Sequence, residues 1–385
     1  MSARHFFYII HRYLGLIVAP FLIFAGLTGT ILAYRSNIDE LINPDLFISS
    51  NHPSNFNKPP ITKQITKIHQ RHPAWIIKSF SLNTAPNRNV RSIVQTSQGE
   101  REVFWDPYNE EIHGIRSTQG GFQRHNLMQG IHIVHYTLGG GRIGRWLMGG
   151  AAFVWLVLTL AGMIITFPPK YWSKWFKLWL IKRRSLQQRP MIELHRLLGL
   201  WTFIAMLILS STSVAMNFFT EFFAPEVEML SPPRLGGPFS QKIFSQNKQA
   251  IDYEAALKIA RKWARSYNPQ FAPVAFQDFS EAGVYGVSFA SGGTSNFVGT
   301  GRRTCFMNRY TGEIIWIDSP ELDGSGTELI RSLYPLHTGQ IIGSFGKALD
   351  AFTGIITIIL SITGIWIWYR KRCRRLYISR LDHQG

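Results

Sequence analysis

Four stretches of this chain are apolar for long enough to cross a bilayer, and lipid leaves few folds open to such a chain. They are residues 14–34, 146–167, 197–219 and about 351–369, each near the roughly 20 residues a membrane helix needs. Hydrocarbon offers no water to the backbone N–H and C=O groups, so each stretch is expected to be a helix. The first exceeds the roughly 7–15 apolar residues of a signal peptide and has no small-residue cleavage site before Arg35, so it reads as a retained anchor.

The charge pattern orients these spans. Among 385 residues, 41 Lys and Arg against 23 Asp and Glu leave a net charge of +18. The basic residues gather at one set of helix ends. Arg4 and Arg12 precede span one, Lys170 to Arg189 lie between spans two and three, and Arg370 to Arg375 follow span four. By the positive-inside rule these segments are cytoplasmic, and 35–145 and 220–346 lie outside. The charge then serves topology, and nucleic-acid binding is not expected. Cys305 and Cys373 fall on opposite sides and lack metal-motif neighbours, which speaks against thiol chemistry. In the loop between spans two and three, Trp172, Trp175, Phe176 and Trp179 share one helical face and should lie on the inner membrane surface.

The chain is also written twice. HRYLGL at 11–16 returns as HRLLGL at 195–200. With an offset of 202, His135 falls on His337, Gly141 on Gly343, Gly144 on Gly346, Arg145 on Lys347 and Gly162 on Gly364, and DPYNEEIHG at 106–114 falls on NRYTGEIIW at 308–316. Each copy therefore holds a span, an outside segment and a second span. The duplication also settles GGGRIG at 139–144. It satisfies the dinucleotide pattern G-x-G-x-x-G, which means something only between a strand and a helix. Here a membrane span follows, and in the second copy Gly139 has become Ile341.

The expected layout is a bundle of four transmembrane helices with two periplasmic α+β domains. Its segments are a first helix at 1–34, an outside domain at 35–134, a second helix at 135–169 and an amphipathic loop at 170–193. A third helix at 194–219, a second outside domain at 220–336, a fourth helix at 337–370 and a tail at 371–385 complete it. Residues 61–70 and 253–267 read as amphipathic helices. RSIVQTSQ, REVFWDP, GVYGVSFA and RRTCFMNRY read as strands, with turns at Asn109 and Thr311-Gly312.

Of twelve histidines, four stand where ionisable groups are costly. His11 and His195 open spans one and three on the inner side, and His135 and His337 precede spans two and four on the outer side. Each pair is related by the duplication. Two neutral imidazoles facing each other are what a six-coordinate haem iron takes as axial ligands, and a b-type haem needs no CxxCH motif. Gly15 and Gly199 stand four residues after His11 and His195, on the same helical face, where a macrocycle has room. Gly139, Gly339 and Gly343 are candidates for the same role outside. Arg12, Arg196, Arg145 and Lys347 are candidates for the propionates. His132, one turn before His135, is an alternative outer ligand, and zinc on His132, His135 and His337 ranks below haem.

With H-R-x-L-G-L twice, L-H-x-G-x-x-x-G before the last span and D/N-x-Y-x-x-E-I turns outside, the sequence resembles the PepSY-associated transmembrane family of bacterial inner-membrane proteins. The resemblance covers essentially the whole chain. Its best understood branch, FoxB-like, is a dihaem ferrisiderophore reductase. The resemblance thus implies PepSY-like outside domains, an inner haem on His11 and His195 and an outer haem on His135 and His337. It implies a cytoplasmic or quinol electron donor and a periplasmic ferric siderophore as acceptor. No P-loop or strand–glycine–helix unit occurs, so bound flavin or NAD is not expected. The alternatives are a siderophore or iron transporter, a non-catalytic PepSY binding protein, and a dihaem cytochrome b serving another acceptor.

Overall fold

The computed structural model describes residues 3–49, 60–82, 85, 87–109, 111–166, 175–181, 187–240, 243, 249–291 and 302–382. The chain forms two compact units. One takes residues 1–35, 131–225 and 333–385, and the other takes 36–130 and 226–332.

The first unit is a ring of apolar helices. Ala3–Leu32, Gly141–Thr166 and the long helix Gly343–Asp382 are each unbroken. At 1.5 Å per residue the last runs about 60 Å, well beyond a hydrocarbon core of about 30 Å. The third expected span is not one helix. Pro190–Trp201 and Phe203–Asn217 meet at a 68° bend. At the joint the Thr202 hydroxyl donates to the Leu198 carbonyl, 2.6 Å away. Such back-bonding competes with the helical ladder and bends it. Three helices are thus long and apolar enough to span a membrane, four if the bent pair is one span.

The first helix packs on the second and fourth, and the bent third packs on the second and fourth. Helices one and four touch through their backbones. A Cβ on Gly26 would lie 2.7 Å from the Gly354 carbonyl, the small-residue contact that membrane interfaces favour.

His135 and His337 do not open spans two and four. They end two separate helices, Leu127–Thr137 and Ser325–His337, each of which turns sharply into the following span. Glycine makes that turn. Gly139 and Gly141 hold φ of +75° and +55°, Gly339 and Gly343 hold +68° and +66°, values that only glycine adopts freely. Gly144 and Gly346 let the new helix press against the Thr137 and Gly339 carbonyls. The G-x-G-x-x-G of the first copy is therefore a helix–helix reversal. Gly139, Gly339 and Gly343 are consumed by it and do not face a cofactor along a helix, as the spacing suggested.

The second unit is built on one sheet, where the sequence suggested two domains. Eight strands run β1 Ile76–Ser81, β2 Val90–Thr96, β3 Gly99–Trp105, β4 Ile112–Ser117, β5 Phe271–Phe279, β6 Val284–Ser291, β7 Arg303–Asn308 and β8 Ile314–Asp318. Their order is β4-β3-β2-β1-β5-β6-β7-β8, antiparallel throughout. Each copy supplies four strands, and the copies join edge to edge where Phe80 faces Phe276. Alone, each four-stranded half would present the long free edge that sheets must cover or pair. The helices Ile61–Arg71 and Tyr253–Tyr267 bury Ile65, Ile68, Ala256, Leu257 and Ala260 in a shared core with Trp105, Phe276 and Phe289.

The repeated turns match in detail. Asp106 and Asn308 bond the amides of Tyr108 and Tyr310 at 2.8 and 2.9 Å. Of the amphipathic loop at 170–193, residues 170–174, with Trp172, and 182–186 lie outside the described residues. Within it, Phe176–Leu178 forms one 3₁₀ turn, and Trp179 packs edge-on against Trp175 and Trp201.

Candidate functional site: two histidine-lined cavities

The helical unit contains two cavities. One, of about 470 Å³, is lined by His11, His195, Gly15, Gly199, Arg12 and Arg196 among mostly apolar neighbours. The other, of about 410 Å³, is lined by His135, His337, His132, Arg145, Arg35 and Asp350. Both fall in the range of small-molecule and cofactor sites, about 300–1,000 Å³. The structure thus brings together both histidine pairs that the duplication relates.

All four imidazoles are anchored through Nδ1. His11 donates from Nδ1 to the Leu158 carbonyl at 3.0 Å. His195 has the Thr363 hydroxyl at 2.9 Å and a bond to the Leu360 carbonyl, the repeat mate of Leu158. His135 meets the Thr28 hydroxyl at 2.7 Å and His337 the Thr212 hydroxyl at 3.0 Å. Thr28 and Thr212 are themselves repeat mates, 184 residues apart like His11 and His195.

The hydroxyls decide the tautomer. Thr28 bonds the Phe24 carbonyl at 2.8 Å, Thr212 the Ile208 carbonyl at 2.7 Å and Thr363 the Ile359 carbonyl at 2.8 Å. A hydroxyl has one proton. Once that proton goes to the helix carbonyl, the oxygen accepts from Nδ1–H. Each imidazole is then neutral with a bare Nε2, the form that binds a metal. A partner on the other ring nitrogen is what metal-ligating histidines carry to fix tautomer and ring angle.

The first cavity also leaves open space one turn after its histidines. A Cβ added at Gly15 or Gly199 would meet nothing within 4 Å. Other glycines press on the rings themselves. A Cβ on Gly162 would lie 3.3 Å from Cε1 of His11, one on Gly364 3.5 Å from Cε1 of His195, and one on Gly29 3.4 Å from Cε1 of His135. The rings of His11 and His195 are 6.2 Å apart between centroids and perpendicular.

Several sequence candidates land differently. Arg196 is ion-paired to Glu193 through Nη2 while its buried Nη1 has no partner among the described residues, and Arg145 is ion-paired to Glu221. Arg12 lies over the Tyr13 ring, 4.8 Å from its centroid. Lys347 is not among the residues lining the second cavity. His132 does line it, but its buried Nδ1 has no partner. His135 has one. No group of three or more potential metal ligands exists among the described residues, which leaves a zinc site on His132, His135 and His337 without support.

The sequence reading missed Thr28, Thr212 and Thr363, and also Gly29, Trp155 and Asp350. The 184-residue offset carried a signal for the first two, since Thr28 and Thr212 align as firmly as the histidines do.

Fold and site together define a helical membrane protein in which two cavities are each flanked by a pair of neutral, anchored imidazoles. A family model described as the PepSY-associated TM region matches residues 8–371, and the chain belongs to that family. A comparison with curated proteins finds no match.

Proposed function

We propose that the protein is a dihaem electron-transfer protein of the FoxB-like type, an oxidoreductase of the bacterial inner membrane that reduces ferric siderophores on the periplasmic side. On this reading both termini are cytoplasmic. His11 and His195 hold one b-type haem and His135 and His337 the other, with His132 as the alternative ligand in the second cavity. Bound there, the two haems relay single electrons from a cytoplasmic or quinol donor to the ferric chelate. Iron reduced to the ferrous state is a poorer partner for hard oxygen ligands such as hydroxamates, so the chelate loosens.

The chain's own part in this is positioning. Thr28, Thr212, Thr363 and the Leu158 and Leu360 carbonyls hold a proton on each Nδ1 and keep Nε2 bare. Gly15 and Gly199 keep the first cavity open. Leu16, Leu22, Leu200 and Phe203 keep it dry, and such a shell sets potential through its low dielectric. The four-fold recurrence of an Nδ1 anchor on repeat-related histidines is the observation that carries this reading. A peptide-binding module needs no such device, and a transporter path gains nothing from fixing every tautomer.

The test is a dithionite-reduced minus oxidised absorbance spectrum of the purified protein with a pyridine haemochrome count. Two b haems per chain are expected, falling to one in His195→Ala and to one in His337→Ala. Reduced protein should then be reoxidised by a ferric hydroxamate. A folded, membrane-extracted protein without haem overturns the proposal.

A further inference from the structure

Resting on the dihaem reading, we propose that Trp155 is the residue through which the two cavities are electronically coupled. Among the described residues only Leu22, Trp155 and Thr357 line both, and Trp155 alone of these three carries a π-system. The ring is held in place by the packed cluster of Val18, Leu22 and Leu158, with Leu14 and Phe21 against it. Its indole N–H has no hydrogen-bond partner among the described residues. Trp155 is half-buried rather than enclosed, and it lines both cavities.

The duplication sharpens the point. The repeat mate of Trp155 is Thr357, which is 4 % exposed and turns its hydroxyl back to the Thr353 carbonyl at 2.8 Å. The histidines, the anchors Thr28/Thr212 and Leu158/Leu360, and Gly162/Gly364 come in matched pairs. The wall between the cavities does not. One copy supplies a large aromatic ring and the other a small residue beside it. A scaffold that needed only filler at this boundary had aliphatic residues on both sides to draw on.

The step assigned to the wall moves one electron and no proton. A reduced b haem in one cavity loses the electron, an oxidised one in the other gains it, and the indole is unchanged. Trp155 is thus a positioning residue, because its ring replaces saturated carbon that conducts less well between the two sites.

The experiment uses the full-length protein carrying 5-fluorotryptophan, with the Trp155 resonance identified by its loss in Trp155→Phe. That resonance should shift when either cavity alone is filled, in His11→Ala and in His135→Ala protein. A shift with one cavity only overturns the shared wall. In fully loaded protein, Trp155→Leu should keep both haems and both absorbance spectra yet slow electron equilibration between them by an order of magnitude, while Trp155→Phe keeps most of the rate. Equal rates in wild type and Trp155→Leu, with both sites filled, overturn the proposal and leave the dihaem reading standing. A wild-type protein that takes up no haem overturns both.

Discussion

Each cavity is made from one element and its repeat mate, and the match between mates runs further in one than in the other. Around His11 and His195 the matched pairs continue outward: Arg12 with Arg196, Gly15 with Gly199, Leu158 with Leu360 and Gly162 with Gly364 all line that cavity. Around His135 and His337 the match holds for the histidines and for Thr28 with Thr212, and then fails. His132 stands against Tyr334, Arg35 against Phe219 and Asp350 against Met148. Asp350 has no hydrogen-bond or ion-pair partner among the described residues. Duplication gives each cavity two matched halves, so what departs from that match in one cavity serves that cavity alone. On the proposed function the better-matched cavity is the internal relay and the other is the end that meets an external acceptor.

The largest expected effect strikes the better-matched cavity. Gly199→Leu fills open space rather than packed core, so the protein should fold but hold one haem per chain in place of two by haemochrome count. Retention of both would show that the opening beside His195 is not used, and the contrast between the cavities would lose its base.

Next come the anchors. Thr212→Val removes the hydroxyl bonded to His337 and frees its tautomer, and loss of such a partner costs metal sites about 10–100-fold in affinity. Thr363→Val should cost less, because His195 also reaches the Leu360 carbonyl. Haem retention against an apomyoglobin trap measures both. An equal loss in the two variants breaks the argument that one site has a second anchor.

Asp350→Asn tests the asymmetry directly. As pH rises the carboxyl ionises, its negative charge favours ferric iron, and the midpoint potential of the His135–His337 site should fall. The Asn variant should lose that slope while the other site keeps its potential in both proteins. Potentiometric titration at several pH values separates the outcomes, and a slope that survives in Asp350→Asn removes Asp350 from the account.

The smallest effects on haem content belong to the ion-paired arginines. Arg145→Gln breaks one partly exposed pair, and such pairs contribute about 1 kcal/mol or less, whereas Arg196→Gln removes a partner of Glu193, whose side chain is 5 % exposed, and costs more stability. Haem content should be unchanged in both, and melting temperature little altered in Arg145→Gln. Loss of a haem in either variant would reinstate that arginine as a propionate partner.

Much of this molecule was legible from its residues because membrane helices advertise themselves locally. The apolar runs, the basic loops, the two histidine pairs and the helix 253–267 are all sequence patterns with one physical reading each, and the helix Tyr253–Tyr267 follows that pattern residue for residue. The departures share a different cause. The bend at Thr202 depends on where one hydroxyl finds a carbonyl. His135 and His337 end separate helices because positive-φ glycines reverse the chain there, and the same glycines looked from spacing like cofactor contacts.

The sequence by itself determined that the chain is a duplicated membrane protein with two related pairs of costly histidines, because apolar length, charge bias and repeat register are written along one strand of residues. Only the tertiary structure decided that residues 76–117 and 271–318 share one sheet through β1 and β5, that threonine and carbonyl oxygens from other helices fix all four imidazoles, and that Trp155 borders both cavities. Each of those rests on atoms more than a hundred residues apart meeting within a few ångströms. Local periodicity does not encode such meetings; close packing of the helices and strands does.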